Sequence, residues 1–183
     1  MRDGKGIKLL SLNDLKVTPP IIVEDGKTFR QNAVKKAVIM SRFFEGLVIA
    51  DDSGLEVDAL DGKPGVRSSR FARSKATDEE NNRKLRKLLA NVPEKKRTAR
   101  FVCNVALAHN GRLLDTCEGT VKGRIAFEPR GRNGFGYDPL FIPNKHEKTF
   151  AEMSALYKNR ISHRAKALSK LKKLIKKYRF LTG

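Results

Sequence analysis

Two adjacent carboxylates, Asp51 and Asp52, follow an apolar run at positions 47–50 and precede a Ser-Gly pair. We expect a short buried strand whose carboxyl end carries these acids. Open α/β sheets bind ligands at the carboxyl ends of their strands. Neighbouring residues on a strand point to opposite sides, so one carboxylate can bind a hard cation such as Mg²⁺ while backbone groups orient the other. A carboxylate beside a metal ion can also accept a proton from an attacking water. Because Asp-Ser-Gly is also good turn chemistry, a purely structural role stays open.

The stretch NGFGYDP is a second candidate. Gly134 and Gly136 free the backbone around Phe135 and Tyr137. Such a loop can present amides to a phosphate and an aromatic ring to a base. The alternative is a tight turn whose aromatic residues are core anchors.

The stretch NRISHRAKAL is a third candidate. Ser162, His163 and Arg164 lie at a predicted helix N-terminus, where backbone N–H groups favour anions, and Lys158 lies one turn earlier. Arginine and histidine are suited to hydrogen bonds with phosphate or purine edges. Taken alone, the segment fits helix capping and a solvated basic face better than a binding site.

Three amphipathic patterns predict the helices that must position these residues. The first helix ends near Gly46 and its apolar face is formed by Phe29, Ala33, Ala37, Met40 and Phe44. A strand, LVIA, comes directly after it, as is typical of α/β folds. The second helix begins at Thr77, with a capping box to Glu80, and ends before Pro93. Its apolar stripe is Leu85, Leu88 and Leu89. The last helix has Ser162 as N-cap, and its predicted buried stripe is Ala165, Leu168, Leu171, Ile175 and Tyr178.

The Asn110-Gly111 pair predicts a two-residue β-hairpin. In that register Cys103 faces Glu118 and Cys117 faces Asn104, which puts the two sulfurs on opposite sides of the sheet. We therefore expect no disulfide. Glycines at 119 and 123 suggest a bulge or bend in the outgoing strand, and the later loop at 128–144 is expected to end in a short apolar strand.

Length and composition set the broad class. The chain has 183 residues, of which 39% are hydrophobic; we expect one domain over 1–183, in one or two lobes. No apolar run is long enough for a membrane span, and the N-terminus has no signal-peptide core. We therefore expect a soluble, cytoplasmic protein with no membrane partner. Two cysteines and three histidines are scattered without zinc-ligand spacing, and there is no Walker-type loop.

The formal net charge is +19, and residues 158–179 hold ten Lys or Arg and no acid. Such a surface attracts polyanions, but a solvated helix face explains it at least as well. The basic segment lacks the interleaved aromatic residues that single-strand binders use. We therefore do not expect nucleic acid as a partner.

Six segments stand out when the chain is read in order: GKTFRQNAVKKA, IADDSGLEVDALDGKPGV, ARFVCNVALA, GFGYDPLFIP, TFAEMS and KNRISHRAKAL. Together they closely resemble the inosine triphosphate pyrophosphatase family, the house-cleaning dITP/XTP pyrophosphatases, over nearly the whole chain. The resemblance implies an elongated, two-lobed α/β fold with a mixed sheet, flanking helices and a central nucleotide cleft, usually in a homodimer. It also implies Mg²⁺-dependent hydrolysis of purine nucleoside triphosphates such as ITP, dITP and XTP to monophosphate and pyrophosphate.

The resemblance assigns roles position by position. Asp52 matches the general base and a metal-associated carboxylate, with Asp51 beside it and Glu24 as a possible further metal ligand. The residues that match nucleotide contacts are Ser53, the base- and sugar-binding Phe135, Gly136, Tyr137 and Asp138, and the residues for phosphate and the 6-oxo purine edge, Lys158, His163 and Arg164. Arginine or histidine donors suit the oxygen at position 6 of hypoxanthine and xanthine and oppose the amine of adenine.

The chain also departs from the family pattern. The family opens with a strand, a phosphate-gripping Ala-Thr-x-Asn-x-x-Lys loop and a helix, whereas MRDGKGIKLL matches only the tail of that helix. We therefore expect an N-terminally incomplete domain, from a misassigned start site or a truncation. Gln31 stands where glutamate is usual, which weakens any metal role there, and Arg67 stands where tyrosine is common.

Two other functions stay open at this point. The first is a nucleotide- or nucleic-acid-binding protein that has impaired or no catalysis because the phosphate loop is missing. The second is a related nucleotide pyrophosphatase of the septum-inhibition type, acting on pyrimidine or modified substrates. The carboxylate pair favours an enzyme, and the Ser-His-Arg segment argues against the septum-inhibition type.

Overall fold

The computed structural model describes residues 8–14 and 18–181. In this part of the chain, the strands are β1 (Val48–Val57), β2 (Thr98–His109), β3 (Arg112–Ile125) and β4 (Phe141–Pro143), and the α-helices are α1 (Phe29–Met40), α2 (Asp78–Leu88), α3 (Ala155–Ile161) and α4 (His163–Lys177). Short 3₁₀ helices are Leu12–Asp14, Asp58–Leu60, Gly65–Arg70, Glu94–Lys96, Phe150–Glu152 and Arg179–Leu181.

The strands form one sheet in the order β1-β2-β3-β4, and every described pairing is antiparallel. Helix α1 packs on one face of the sheet and α4 on the other. The expected α/β class with flanking helices is confirmed, while the expected mixture of strand directions is not present among the described strands. Strand β1 forms one edge of this sheet, and its ten residues pair with β2 without interruption from Val48↔Ala108 to Val57↔Ala99.

Helix α1 forms where the apolar spacing predicts it. Thr28 is its N-cap, and the Gln31 side chain completes the capping box. The buried face of the helix is alanine-rich, and Ala33 and Ala37 pack on Ala106 and Ala108 of β2. Small side chains on both surfaces bring the helix close to the sheet, so that its polar residues reach β1. The helix ends at Met40, earlier than predicted, before the turn that contains Gly46.

Strand β1 is longer than predicted. We expected it to end at the two acids and to turn at Ser-Gly, but it continues through both acids as far as Val57. Ten ladder pairs with β2 outweigh the local turn preference of Asp-Ser-Gly. Asp51 and Asp52 therefore lie in mid-strand, not at a strand end.

The hairpin at Asn110-Gly111 is confirmed, but its predicted register is wrong by one residue. A register shift between Leu107 and Ala108 pairs Cys103 with Gly119 and Val105 with Cys117. A bulge inserts one unpaired residue, so residues beyond it face the opposite side of the sheet from the one that an unbroken ladder predicts. The two cysteines therefore lie on the same face of the sheet, and both are free thiols in the structure.

The glycines at 119 and 123 have a different reason from the predicted bulge. A Cβ at Gly119 would lie 2.1 Å from the His163 carbonyl oxygen and 2.4 Å from the Ala167 backbone nitrogen. A Cβ at Gly123 would lie 2.2 Å from the Ile142 carbonyl oxygen. Only glycine leaves room for this backbone approach. At Gly119 the first turn of α4 thus lies directly against β3.

Helix α4 begins at the predicted N-cap, since the Ser162 hydroxyl accepts a hydrogen bond from the Ala165 N–H. Its predicted buried stripe is confirmed at Leu171, and the predicted Ile175 and Tyr178 pack against the same cluster. In the first two turns, however, the buried face is rotated from the prediction. Ala167 and Leu171 are buried, whereas Leu168 is half exposed. The contact at Gly119 decides this rotation, because it places the backbone between His163 and Ala167 against the sheet.

Helix α2 is confirmed, with Thr77 as N-cap and the Thr77–Glu80 capping box. Leu85 and Leu89 enter the main core, which also holds Leu55, Phe101, Phe141 and Phe150. The buried Arg97 side chain fixes the C-terminal end of α2, donating to the Leu89 carbonyl at 2.7 Å and the Ile125 carbonyl at 3.0 Å.

The segment MRDGKGIKLL, expected to be a helix tail, falls partly outside the described residues, and Leu12–Asp14 form a 3₁₀ turn. Within residues 8–14 and 18–181, no helix has the length and apolar character that crossing a bilayer requires.

Candidate active site

The two aspartates of β1 point to opposite faces of the sheet, as the alternation of a strand requires. On the α1 face, Asn32 donates from Nδ2 to Asp52 Oδ2 at 2.9 Å, and Asn32 Oδ1 accepts from the Gly26 N–H at 2.8 Å. Asn32 is fully buried. Its amide thus fixes one oxygen of Asp52, and the other oxygen faces Lys36.

Lys36 lies one helical turn after Asn32 and joins two carboxylates. Its Nζ is 3.0 Å from Glu24 Oε1 and 3.5 Å from Asp52 Oδ1. Burial raises the pKa of the Asp52 carboxyl above its ordinary value, against the lowering effects of Asn32 and Lys36, and the Glu24 charge adds to the rise. A carboxylate with this environment is a stronger proton acceptor than an exposed aspartate.

Glu24 and Asp52 are also the described carboxylates that fit a divalent cation. The Lys36 ammonium already bridges them, so positive charge is stabilised at this point. No group of three or more metal-ligating side chains occurs among the described residues. Two carboxylates supply the number of protein oxygens that Mg²⁺ usually takes when substrate phosphates provide others.

Asp51 lies on the α4 face, among different partners. Its Oδ2 is 3.5 Å from Arg164 Nε and 3.8 Å from the Cys103 sulfur. Arg164 also donates from Nη2 to the Ser53 hydroxyl at 2.9 Å. Because Ser53 and Gly119 belong to one row across β1, β2 and β3, the close approach of α4 at Gly119 brings Arg164 within reach of β1.

The loop at 133–138 closes over the same face. The Asp138 carboxylate accepts from the Phe135 N–H at 2.9 Å and pairs with the partly buried Lys158 ammonium. The half-exposed Phe135 ring lies 4.6 Å from Lys158 Nζ and 5.2 Å from the Arg164 guanidinium carbon. The loop thus offers a flat aromatic surface beside two cations, as stacking of a base next to phosphates requires.

Tyr137 and Gly136 are framework residues of this loop. The Tyr137 ring is buried and its hydroxyl donates to the Ser68 carbonyl at 2.9 Å. Burial raises the pKa of the Tyr137 hydroxyl, and the Asp78 charge adds to the rise. The Gly136 N–H and carbonyl are hydrogen-bonded to Asp78 and Asn82 of α2.

His163 is buried and stacks on Phe101, with ring centroids 4.8 Å apart. Its Nδ1 has no hydrogen-bond partner in the described structure. Burial lowers the pKa of His163 to about 3, and the charges of Arg164 and Lys158 act in the same direction. The ring is therefore neutral at physiological pH and keeps one free donor or acceptor position.

The structure brings the predicted residues together as two groups that flank edge strand β1. Glu24 and Asp52 lie on the α1 side. The other side holds Asp51, Ser53, Phe135, Gly136, Tyr137, Asp138, Lys158, His163 and Arg164. Sequence reasoning missed Asn32 and Lys36. Their spacing of four residues on a helix that precedes the acidic strand was the available signal.

The chain is similar to several known proteins. A model of the Ham1 family matches residues 1–174. A dITP/XTP pyrophosphatase of Shouchella clausii is 52% identical over 156 residues, covering 85% of this chain and 79% of the relative. A dITP/XTP pyrophosphatase of Bacillus subtilis is 45% identical over 173 residues, covering 94% and 87%. The structure of a HAM1 protein from Coxiella burnetii matches with a TM-score of 0.81 and 41% identity, covering 91% of this chain and 89% of that one.

Proposed function

The chain belongs to the Ham1 family, and from this premise we propose that it hydrolyses purine nucleoside triphosphates with a 6-oxo base, ITP, dITP and XTP, to monophosphate and pyrophosphate. Relatives that carry the name dITP/XTP pyrophosphatase support the reaction. The observation that carries the proposal is the placement of a partly buried, hydrogen-bonded Asp52 and a cation–aromatic group on the two sides of one strand.

Asp52 acts as the general base in this proposal. Its Oδ2 is held by Asn32, and its burial raises the affinity of the carboxyl for a proton. The attacking water gives a proton to this carboxylate while the water oxygen forms a bond to the α-phosphorus. The bond from that phosphorus to the bridging oxygen then breaks, and pyrophosphate leaves.

Glu24 and Asp52 would hold a divalent cation, which we propose to be Mg²⁺. When bound, it would offset the negative charge of the phosphates at the point of cleavage. Asp51 does not fit this set, because it faces the other side of the sheet, where it pairs with Arg164. Lys36 contributes a fixed positive charge beside both carboxylates.

The opposite side of β1 would bind the nucleotide. Arg164 and Lys158 supply positive charge for the triphosphate, and the Ser53 hydroxyl fixes the Arg164 guanidinium. The Phe135 ring offers a surface on which the base stacks. The neutral His163 ring would donate a ring N–H to a 6-oxo group, whereas a 6-amino group would present a second donor to it.

The other functions considered from the sequence have less support. Loss of catalysis is not favoured, because the general base and its supporting residues are in place in a chain that resembles named pyrophosphatases. Homodimer formation stays a prediction, and light scattering during gel filtration measures it directly.

The test is release of pyrophosphate from dITP, XTP, dUTP and dATP, with and without Mg²⁺. We expect release from dITP and XTP that requires Mg²⁺ and is lost on chelation. Asp52→Asn provides the matched inactive variant. Preferential release from dUTP would support the septum-inhibition type, and absence of release from all four would refute hydrolysis.

A further inference from the structure

Helix α2 binds the two peptide groups that flank Gly136, in the loop that carries Phe135. The Gly136 N–H donates to Asp78 Oδ2 at 2.6 Å, and Asn82 Nδ2 donates to the Gly136 carbonyl at 2.8 Å. The two side chains are four residues apart, so they share one face of the helix. We propose that Asp78 and Asn82 are positioning residues that set the affinity for the purine base by fixing this loop. The inference rests on the proposed function of the loop.

The loop needs external support because its own backbone is permissive. Gly134 has φ +80° and Gly136 has φ +62°, conformations that glycine adopts freely and that do not by themselves fix the chain. The Phe135 ring between them is 60% exposed, so core packing does not hold it. Bonds to α2 restrict the loop before the nucleotide arrives, which lowers the entropy lost on binding.

The support itself is rigid. Leu85 and Leu89 anchor α2 in the core. Asn81, beside Asn82, is buried and bonds to the Ala72 N–H at 2.8 Å and the Ser69 carbonyl at 3.2 Å. The helix is therefore fixed to the chain at positions 69–72, and the clamp formed by Asp78 and Asn82 does not move independently of that segment.

The neighbouring residue Ser68 connects the loop to β1. Tyr137 donates to the Ser68 carbonyl at 2.9 Å, and the Ser68 hydroxyl accepts from the Leu55 N–H at 2.9 Å. Leu55 lies three residues after Asp52 on one continuous strand. Tyr137 and Ser68 thus connect the loop that the clamp holds to the strand that carries the proposed general base.

Asn82 has a feature that a purely stabilising residue would lack. Its Oδ1 is buried without a hydrogen-bond partner in the part of the chain that the structure describes. An unsatisfied buried acceptor costs free energy of the same order as one hydrogen bond provides. The amide therefore adds little to stability, and the position of Gly136 is what it determines.

The experiment compares Asp78→Ala, Asn82→Leu and Asp78→Asn with Glu79→Ala as matched control. Glu79 lies in the same first turn, but it is exposed and contacts Arg83 at 3.5 Å. Its removal reproduces the loss of an acid from the helix N-terminus. The readouts are kcat and KM for dITP and XTP, thermal unfolding, and hydrogen exchange of the peptide that contains Gly136.

We expect Asp78→Ala and Asn82→Leu to raise KM about 10-fold with kcat changed less than about 3-fold. Exchange in the loop should accelerate, and Asn82→Leu should leave thermal unfolding nearly unchanged. Asp78→Asn keeps an acceptor oxygen for Gly136 and should restore KM, while Glu79→Ala should resemble the parent.

Unchanged KM and loop exchange in both clamp variants, in a chain that hydrolyses dITP, would overturn the inference and leave the proposed function standing. If Asp78→Asn does not restore KM, the rise in KM in Asp78→Ala comes from the lost charge at the helix N-terminus, and the positioning inference is overturned. A parent chain without activity on dITP or XTP would refute the proposed function, and the base-affinity role would fall with it; hydrogen exchange would still report whether the clamp orders the loop.

Discussion

Asp51 and Asp52 are neighbours in the chain and differ in almost every physical respect. The Asp52 side chain is 13% exposed, accepts from a buried amide and shares a lysine with Glu24. The Asp51 side chain is 46% exposed and faces an arginine from the opposite layer of the fold. Strand alternation alone separates them.

The different surroundings of Asp51 and Asp52 suit one strand to two roles in the proposed reaction, proton acceptance on the α1 side and binding of the nucleotide on the α4 side. Burial on the α1 side raises the pKa of Asp52 and suits it to accept a proton. On the α4 side, solvent screens the Asp51–Arg164 pair, so the pair contributes little to stability and leaves Arg164 available to a ligand. A site that binds a polyanion and also removes a proton needs both environments.

The largest expected effect comes from exchanging each aspartate for asparagine. Asp52→Asn removes the proposed general base and should lower kcat at least about 100-fold. Asp51→Asn removes a half-exposed partner of Arg164 and should lower kcat/KM less than about 10-fold. Pyrophosphate release from dITP measures both. Equal losses in the two variants would mean that the two sides of β1 do not differ in function.

The next effect concerns the arginine of the α4 side. Arg164→Ala removes a positive charge beside Ser53 and Phe135 and should raise KM for dITP about 10- to 100-fold, with a smaller change in kcat. Arg164→Lys keeps the charge without the planar fork, so it should lie between parent and alanine variant. A loss confined to kcat would place Arg164 with Asp52 instead.

Gly119→Ala tests what holds the α4 side in place. The added methyl group would meet backbone atoms of His163 and Ala167, so α4 must shift, at a cost of about 1–3 kcal/mol in the free energy of unfolding. Urea unfolding measures the cost. Thr120→Ala is the control, because it removes only an exposed hydroxyl bond to Glu118. Parent-like stability in Gly119→Ala would show that α4 does not depend on this contact.

The smallest effect is a pH dependence that belongs to the α4 side. The pKa of His163 is lowered to about 3 in the folded chain, below about 6.5 in the unfolded chain. As the pH falls, His163 therefore takes up its proton in the unfolded chain before it does so in the folded chain. Its contribution to the free energy of unfolding is complete above about pH 6.5 and declines as the pH falls towards the folded pKa. Between about pH 7 and pH 5.5 the parent should lose ~1 kcal/mol more than His163→Asn in urea unfolding. An identical pH slope in both proteins would contradict it.

Local patterns in the sequence were sufficient for the elements with local causes. The capping box at Thr77, the N-cap at Ser162 and the Asn110-Gly111 hairpin depend on residues within a few positions of one another, and all are found. The candidate site residues were predicted from motifs and from the family resemblance that those motifs carry, and their roles stay predictions. Their distribution over two faces followed from alternation along β1.

The errors arose where distant residues decide the structure. Strand β1 continues through Asp-Ser-Gly because β2 pairs with it, and the cysteine register depends on a shift at Leu107 and Ala108 that no local pattern marks. Asn32 and Lys36 were missed because the approach of α1 to β1 depends on alanine contacts with β2. Long-range packing overrides local propensity in each case.

The uninterrupted pairing of β1 with β2 also limits how this protein can change in evolution. Insertion of one residue after Ala50, or deletion of Ala50, would reverse the parity of the residues that follow, sending Asp52, the proposed general base, towards Arg164 and Asp51 towards Lys36. A substitution elsewhere in the strand alters the contacts of one side chain, whereas a change in strand length exchanges the surroundings of Asp51 and Asp52 together. Strand length between residues 48 and 57 is therefore a stricter requirement than most of the side chains in it.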